Sequence, residues 1–447
     1  MARVLIVGGS DAGISAALRA RELDSAVEVT VLLADAYPNF SICGLPYYLS
    51  GDVPDWRSLA HRSVEELEHA GIELLLEHRV EEVDATTQTV VTRGGRHRYD
   101  RLVVATGAEP VRPPIPGLEH VGVHQLHTIG DARLLDEVLA RGPERAVIVG
   151  AGYIGLEMAE ALRARGLDVT LVEQLPAVLP TVDRELGELV REELQRNGVL
   201  VLTDSTVSAI EQDGARLLVI GGHLRKEADV VLVVVGVRPS VELGRAAGIP
   251  LGPHGALQVD RRMETALPDV FAAGDCTVTY HRLLETDTCL PLGTTAHNQG
   301  RITGENAVGG ARRYDGSLGT QVVKVFERAI ARTGLRDAEA TEAGLEPLTI
   351  GTAGFDHKAY YPHAHEIAVG LTGERPSGRL LGAQMLGHVD AQVAKRIDIV
   401  ATALYSGLSV DAINALDLSY TPPFGSPWDV VQTAAQAWEH GRHVTAK

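Results

Sequence analysis

The sequence predicts an α/β protein with two parallel-sheet units and a third, α+β segment, and three observations predict it. An apolar run, a glycine turn and an alanine-rich helix open the chain in "RVLIVGGSDAGISAALRARELD", and the strand "VEVTVLLAD" follows at the spacing of a βαβ unit. A near copy recurs in "RAVIVGAGYIGLEMAEALRARGLDVTLVEQ". From about Thr320 the pattern changes, and strand-like runs ("TQVVKVFE", "HEIAVGL", "RLLGAQMLG") alternate with the helical "AQVAKRIDIVATALYSG".

Both repeated units have the form that binds a dinucleotide. Glycine is needed because backbone amides must approach a pyrophosphate at a helix N-terminus, where the helix dipole favours anions. The later loop has all three glycines, Gly150, Gly152 and Gly155, and an acid, Glu173, after its second strand. Glu173 is expected to accept hydrogen bonds from ribose hydroxyls and to repel a 2′-phosphate, which favours NADH while leaving NADPH open. The first loop reads Gly8, Gly9, Ser10, Asp11, Ala12, Gly13, with serine at the usual second glycine. Leu33 holds the place of its acid, and Asp35 lies two residues on. Strands ending in glycine turns follow in "YDRLVVATGAEP", "ADVVLVVVGVRP" and "VFAAGDC".

Composition narrows the setting. With 41 basic and 59 acidic residues the net charge is −18, which argues against nucleic acid as a partner. No stretch of eighteen or so residues is uninterruptedly apolar, so no membrane span is expected. The start lacks the order of a signal peptide, and three cysteines make no disulfide framework, so a cytoplasmic location is expected. No zinc-like ligand spacing emerges from the 17 histidines, and no metal is expected; His357, His363 and His365 read as surface or interface residues.

Among the cysteines Cys43 stands apart. In "SICGLPYYLSG" it precedes a glycine and a proline and has no partner cysteine nearby. Such a thiol can cycle only through a mixed disulfide, a persulfide or a sulfenic acid. Gly44 and Pro46 place it just before a short helix, which is expected to favour its thiolate. Cys276 and Cys289 read as structural.

The N-terminal glycine loop, "ATGAEP", "GAGYIGLE", "GVRP" and "AAGD", in this order, resemble the two-dinucleotide flavoprotein disulfide reductases over essentially the whole chain. The lone Cys43, with "YYP" at 360–362 and "SYTPPF" at 419–424, resembles their single-cysteine branch: coenzyme A-disulfide reductase, persulfide or polysulfide reductase, and NADH oxidase. The resemblance implies two Rossmann-like domains, one inserted in the other. Residues 1–118 and 240–319 would bind FAD, 119–239 NAD(P)H, and 320–447 would form an α+β dimerisation domain. Thr106, Gly107, Gly274 and Asp275 would line FAD beside the first loop, with Val80 and Thr294. Ile154, Glu157 and Gly236 would join the second nucleotide site, and Tyr153 would gate the flavin. Tyr361 and Tyr420 would reach the partner subunit's thiol in a homodimer. The implied activity is NAD(P)H-dependent reduction of a small disulfide, persulfide or polysulfide through Cys43. NADH oxidation by oxygen and electron donation to a protein remain as alternatives.

Three positions depart from these relatives. Ile42 replaces the asparagine that coenzyme A-disulfide reductases commonly place before the cysteine. An Arg-Arg pair becomes Arg21-Glu22, with Arg19 nearby. Asp11 stands where oxidases carry histidine, and a carboxylate there opposes thiolate formation.

Overall fold

The run Val4–Val7 is buried on both faces, as a central strand of a parallel sheet requires, and it lies at the middle of the first layer. In the computed structural model, which describes residues 2–214 and 216–444, that sheet has the order Val270–Ala272, Arg101–Val104, Arg3–Val7, Glu28–Leu32, Ile72–Leu75, all parallel. Met1, Ala215 and residues 445–447, which the sequence reading assigned to its three segments, lie outside the described residues. The crossover helix Asp11–Leu23 buries Ala12, Gly13, Ala16, Ala17 and Ala20. Against this small-residue face packs the helix Gly293–Ala307, whose Gly300 and Gly304 lie over Ala12 and Ala16. A helix from far along the chain therefore borders the first glycine loop.

The second parallel sheet runs Leu200–Leu202, Asp168–Val172, Arg145–Val149, Val230–Val233, Val123–His124, with the helix Tyr153–Ala164 after its central strand. The chain passes between the two sheets through an antiparallel ribbon of Ala108–Pro110 and Val237–Pro239. Each unit carries a three-stranded antiparallel sheet, Val80–Asp84 with Thr89–Thr92 and Gly95–Arg98 in the first, and Ala209–Asp213 with Arg216–Gly221 and Leu224–Ala228 in the second.

The C-terminal sheet is antiparallel, in the order Gln321–Val325, Arg328–Gly334, Leu380–His388, Glu366–Glu374, Pro347–Phe355. Helices Val393–Tyr405 and Val430–Val444 cover it, and Trp438 is fully buried with its indole N–H on the Leu348 carbonyl at 2.7 Å. The fold is thus the mixed α/β arrangement that the periodicities predict, ending in an α+β unit. This third unit docks on the second: Lys324 pairs with Glu160, the Phe326 amide donates to Glu160 at 2.7 Å, and Gln384 donates to Asp183 at 2.6 Å. Among the described residues no helix is long and apolar enough to cross a membrane.

Candidate active site

The chemistry-bearing residues collect at the C-terminal edges of the two parallel sheets, where such sheets hold ligands. Gly8 follows the strand Arg3–Val7, Thr106 and Gly107 follow Arg101–Val104, and Gly274 and Asp275 follow Val270–Ala272. Ser10 caps the first helix without a side-chain bond, and Asp11, Ala12 and Gly13 form its first turn. The Thr106 hydroxyl donates to the Ser240 carbonyl at 2.6 Å. Gln299, buried in the late helix and not singled out by the sequence, accepts the Gly274 amide at 2.8 Å and so fixes that turn. Asp35 is exposed, with its carboxylate on the Tyr37 amide at 2.9 Å. Val80 opens the small antiparallel sheet, and Thr294 lies exposed at the start of the late helix.

In the second unit Gly150, Gly152 and Gly155 turn into the helix that carries Tyr153, Ile154 and Glu157, and Gly236 follows Val230–Val233. Glu173 is buried, with one carboxylate oxygen 2.8 Å from the Ala151 amide and the other 2.9 Å from the Leu175 amide. The acid therefore braces its own glycine loop. The Tyr153 hydroxyl donates to Gln321 and accepts from Thr181 at 3.1 Å, so residues of the second and third units hold the ring together.

Cys43 lies in the turn Ile42–Gly44, ahead of the six-residue helix Leu45–Ser50, and it is an exposed free thiol. Leu45 and Leu49 are fully buried and seat this helix on the helix Tyr153–Ala164 of the second unit. The same packing sets Cys43 among carboxylates. Partial burial of the sulfur pushes the thiol up, and Glu157, Asp11 and Asp275 push it further in the same direction. The expected lowering by the following helix is not met, because a six-residue helix offers little dipole against desolvation and three negative neighbours. Glu157 is itself held up to about 7, by burial and then by Glu160. Asp275 is raised to about 6 by burial and by Asp11, and among the described residues its buried Oδ1 has no hydrogen-bond partner.

Cys276 is buried, with its sulfur 3.4 Å from the Ala273 carbonyl, and Cys289 is half-buried. Tyr361 and Tyr420 are both exposed on the third unit, where the Lys358 amide meets the Pro422 carbonyl at 3.3 Å and joins their two segments. Among the described residues neither tyrosine has a hydrogen bond or ring contact with Cys43. Of the three histidines read as surface or interface residues, His357 is mostly buried, its ring on the Asp356 carboxylate at 2.9 Å and edge-on to Tyr361. Sequence reasoning missed His61 and His297, which lie beside Asp11; separation along the chain left no local signal for them.

Comparison with known proteins bears on this arrangement. Residues 2–300 match the family model described as pyridine nucleotide-disulphide oxidoreductase, and residues 320–430 match the dimerisation domain of the same family. An NADH oxidase of Methanocaldococcus jannaschii is 31% identical, over 97% of this chain and 98% of that protein. A CoA-dependent NAD(P)H sulfur oxidoreductase of Pyrococcus furiosus is 33% identical, over 96% of this chain and 97% of that protein. The structure of an NAD-dependent persulfide reductase from A. fulgidus superposes with a TM-score of 0.95 at 37% identity, covering 99% of this chain and 84% of that one.

Enzymes of this kind use FAD and a nicotinamide dinucleotide, and the residues present fit both. Glycine is required at Gly13 and Gly155, where a Cβ would lie 1.9 Å and 2.0 Å from the carbonyls of Gly8 and Gly150, and the unpartnered Asp275 carboxylate offers an acceptor to a polyol chain. The chain is an oxidoreductase of the pyridine nucleotide-disulphide oxidoreductase family.

Proposed function

We propose that the protein reduces a small disulfide, persulfide or polysulfide with electrons from NADH, through Cys43 alone. The observation that carries this reading is an exposed lone thiol just ahead of a helix that packs against the helix Tyr153–Ala164 of the second unit. Bound FAD supplies the two-electron relay between nicotinamide and sulfur. The first loop, with Asp35, Val80, Thr106, Gly107, Gly274, Asp275 and Thr294, is assigned to FAD. Gly150–Gly155, Glu157, Glu173 and Gly236 are assigned to the nicotinamide nucleotide, with Tyr153 as gate.

In the proposed reaction the Cys43 thiolate attacks a sulfane sulfur and a Cys43 mixed disulfide or persulfide forms as the acceptor's S–S bond breaks. The leaving thiolate takes a proton, and two electrons that originate in NADH cleave the new S–S bond, releasing a second thiolate or sulfide and restoring the Cys43 thiolate. Because the surroundings raise the thiol, a proton acceptor is needed beside it. Glu157, ionising near neutrality, is the group suited to that role. Tyr361 and Tyr420 are assigned to the partner subunit's site in a homodimer, where a phenol can protonate the leaving sulfur.

Arg19 and Arg21 are already engaged, which favours an acceptor without coenzyme phosphates. Arg19 pairs with Glu305 at 2.7 Å and Glu22 at 3.0 Å, and Arg21 donates to the carbonyls of Ala70, Ser25 and Val27. Oxygen reduction through a Cys43 sulfenic acid is the second reading, favoured by the similarity to named NADH oxidases.

The test is anaerobic NADH consumption with polysulfide, coenzyme A persulfide, coenzyme A disulfide and glutathione disulfide, against oxygen alone. Cys43→Ser should lower sulfur turnover by about a thousandfold or more while NADH-driven ferricyanide reduction persists. Retained sulfur turnover in this variant refutes the role, and oxygen as the sole efficient acceptor transfers the assignment to an oxidase.

A further inference from the structure

We propose that Asp11, His61 and His297 form a binding site for one divalent transition-metal ion of the zinc type, beside the thiol site and independent of the thiol. Asp11 opens the helix Asp11–Leu23, His297 rides the helix Gly293–Ala307 packed on it, and His61 follows the bridge between Phe40 and Ala60. Three distant stretches thus deliver one carboxylate and two imidazoles to one point. Asp11 Oδ1 lies 3.4 Å from His297 Nε2 and 4.0 Å from His61 Nε2, and all three ligand atoms lie within 4.8 Å of one another. Tetrahedral zinc with bonds of about 2.0–2.1 Å has ligand–ligand edges of roughly 3.4 Å, so small side-chain rotations close the site.

Two features mark this as more than a surface ion pair. Asp11 Oδ1 is buried and among the described residues has no hydrogen-bond partner, so it faces the imidazoles with nothing else bound to it. His297 Nδ1 lies 2.8 Å from the Ser15 hydroxyl, which holds the ring and turns Nε2 towards the carboxylate, the outer-shell contact that metal-binding histidines make. The rings of His61 and His297 stand 5.8 Å apart, nearly perpendicular, and both side chains are almost half exposed, which leaves an entry path and a fourth position for water or a sulfur ligand. The ligand set of two imidazoles and one carboxylate suits zinc or cobalt rather than calcium or magnesium, which take oxygen.

The test uses the FAD-loaded protein, cleared of metal with a chelator, dialysed against zinc and assayed by mass spectrometry, with X-ray absorption at the zinc edge. One zinc per chain is expected, with nitrogen and oxygen but no sulfur in the first shell. His297→Gln should abolish this uptake with flavin content unchanged, and Ser15→Ala should weaken it by about 10–100-fold. Cys43→Ser should leave it intact, as should His388→Ala, which opens the other clustered set, His365, His388 and Asp390. No uptake, uptake indifferent to His297→Gln, or loss in Cys43→Ser or His388→Ala overturns the proposal. Because the readout is bound metal, it stands or falls separately from sulfur turnover.

Discussion

The two glycine loops are near copies in sequence and in backbone, yet their acids do opposite things. Glu173 of the second unit is buried and satisfied, each oxygen on a backbone amide of its own unit. In the first unit the corresponding place is the buried apolar Leu33, and the acids that matter, Asp11 and Asp275, each keep a buried oxygen without a partner. A satisfied acid stabilises the loop it braces. Unsatisfied acids carry a cost of burial and are retained where a ligand completes them. The duplication therefore preserves the scaffold, and the unit whose acids stay unsatisfied is the one that carries the Cys43 thiol.

The sharpest way to break that comparison is a matched pair of substitutions. Gly13→Ala and Gly155→Ala insert the same methyl at equivalent positions, 1.9 Å and 2.0 Å from a backbone carbonyl that cannot move without opening its loop. Overpacking of this kind costs about 3 kcal/mol. Gly13→Ala should release the flavin, seen as a loss of the 450 nm band and a lowered Tm. Gly155→Ala should keep the flavin and raise KM for NADH by about tenfold or more. Equal flavin loss in both variants contradicts the assignment of one nucleotide to each unit.

The difference in outcome also marks what sequence could reveal. Both loops, their strands and the change of character near Thr320 were legible because glycine turns and apolar periodicity are local signals. The thiol was legible as well, since a cysteine before Gly44 and Pro46 does not fit a core strand. The direction of its pKa was not, because that depends on Glu157 and Asp275, brought beside it only by tertiary packing. The convergence of His61 and His297 on Asp11 was hidden for the same reason: the late helix reaches the first loop only because Gly300 and Gly304 let it approach Ala12 and Ala16. Glu173 shows the converse, a residue singled out from the sequence whose oxygens are turned first to its own backbone.

Glu157 allows the comparison to be tested from the second unit's side, for its charge raises the thiol. Its folded pKa is about 7, above the usual carboxyl value of 4.5, chiefly through burial. A raised carboxyl binds more protons in the native state than in the unfolded state between these values, so stability is lost as pH rises from 4.5 to 7 and is constant above. The limiting loss is about 3 kcal/mol. Urea midpoints at pH 5 and pH 8 should differ less in Glu157→Gln than in the parent protein, and Asp275 accounts for part of the residual slope because its pKa of about 6 is raised in the same sense. The same variant should remove the limb near pH 7 from the sulfur-turnover profile. An unchanged profile rules out Glu157 as the proton acceptor for Cys43.

The smallest expected effect concerns Glu173, and it decides whether bracing and recognition coexist in one side chain. Its two oxygens accept the Ala151 and Leu175 amides, but each carboxylate oxygen has a second lone pair available to a ribose hydroxyl. Glu173→Gln keeps the shape and one acceptor while turning an NH2 towards a backbone donor, a loss of about 1–3 kcal/mol. If the charge also repels a 2′-phosphate, the ratio of kcat/KM for NADH over NADPH should fall by about tenfold, with flavin content unchanged. A lower Tm with an unaltered nucleotide ratio would mean that this acid serves its loop alone. The preference for NADH would then lie in the shape of the turn beyond it, where Leu175 follows in place of an arginine.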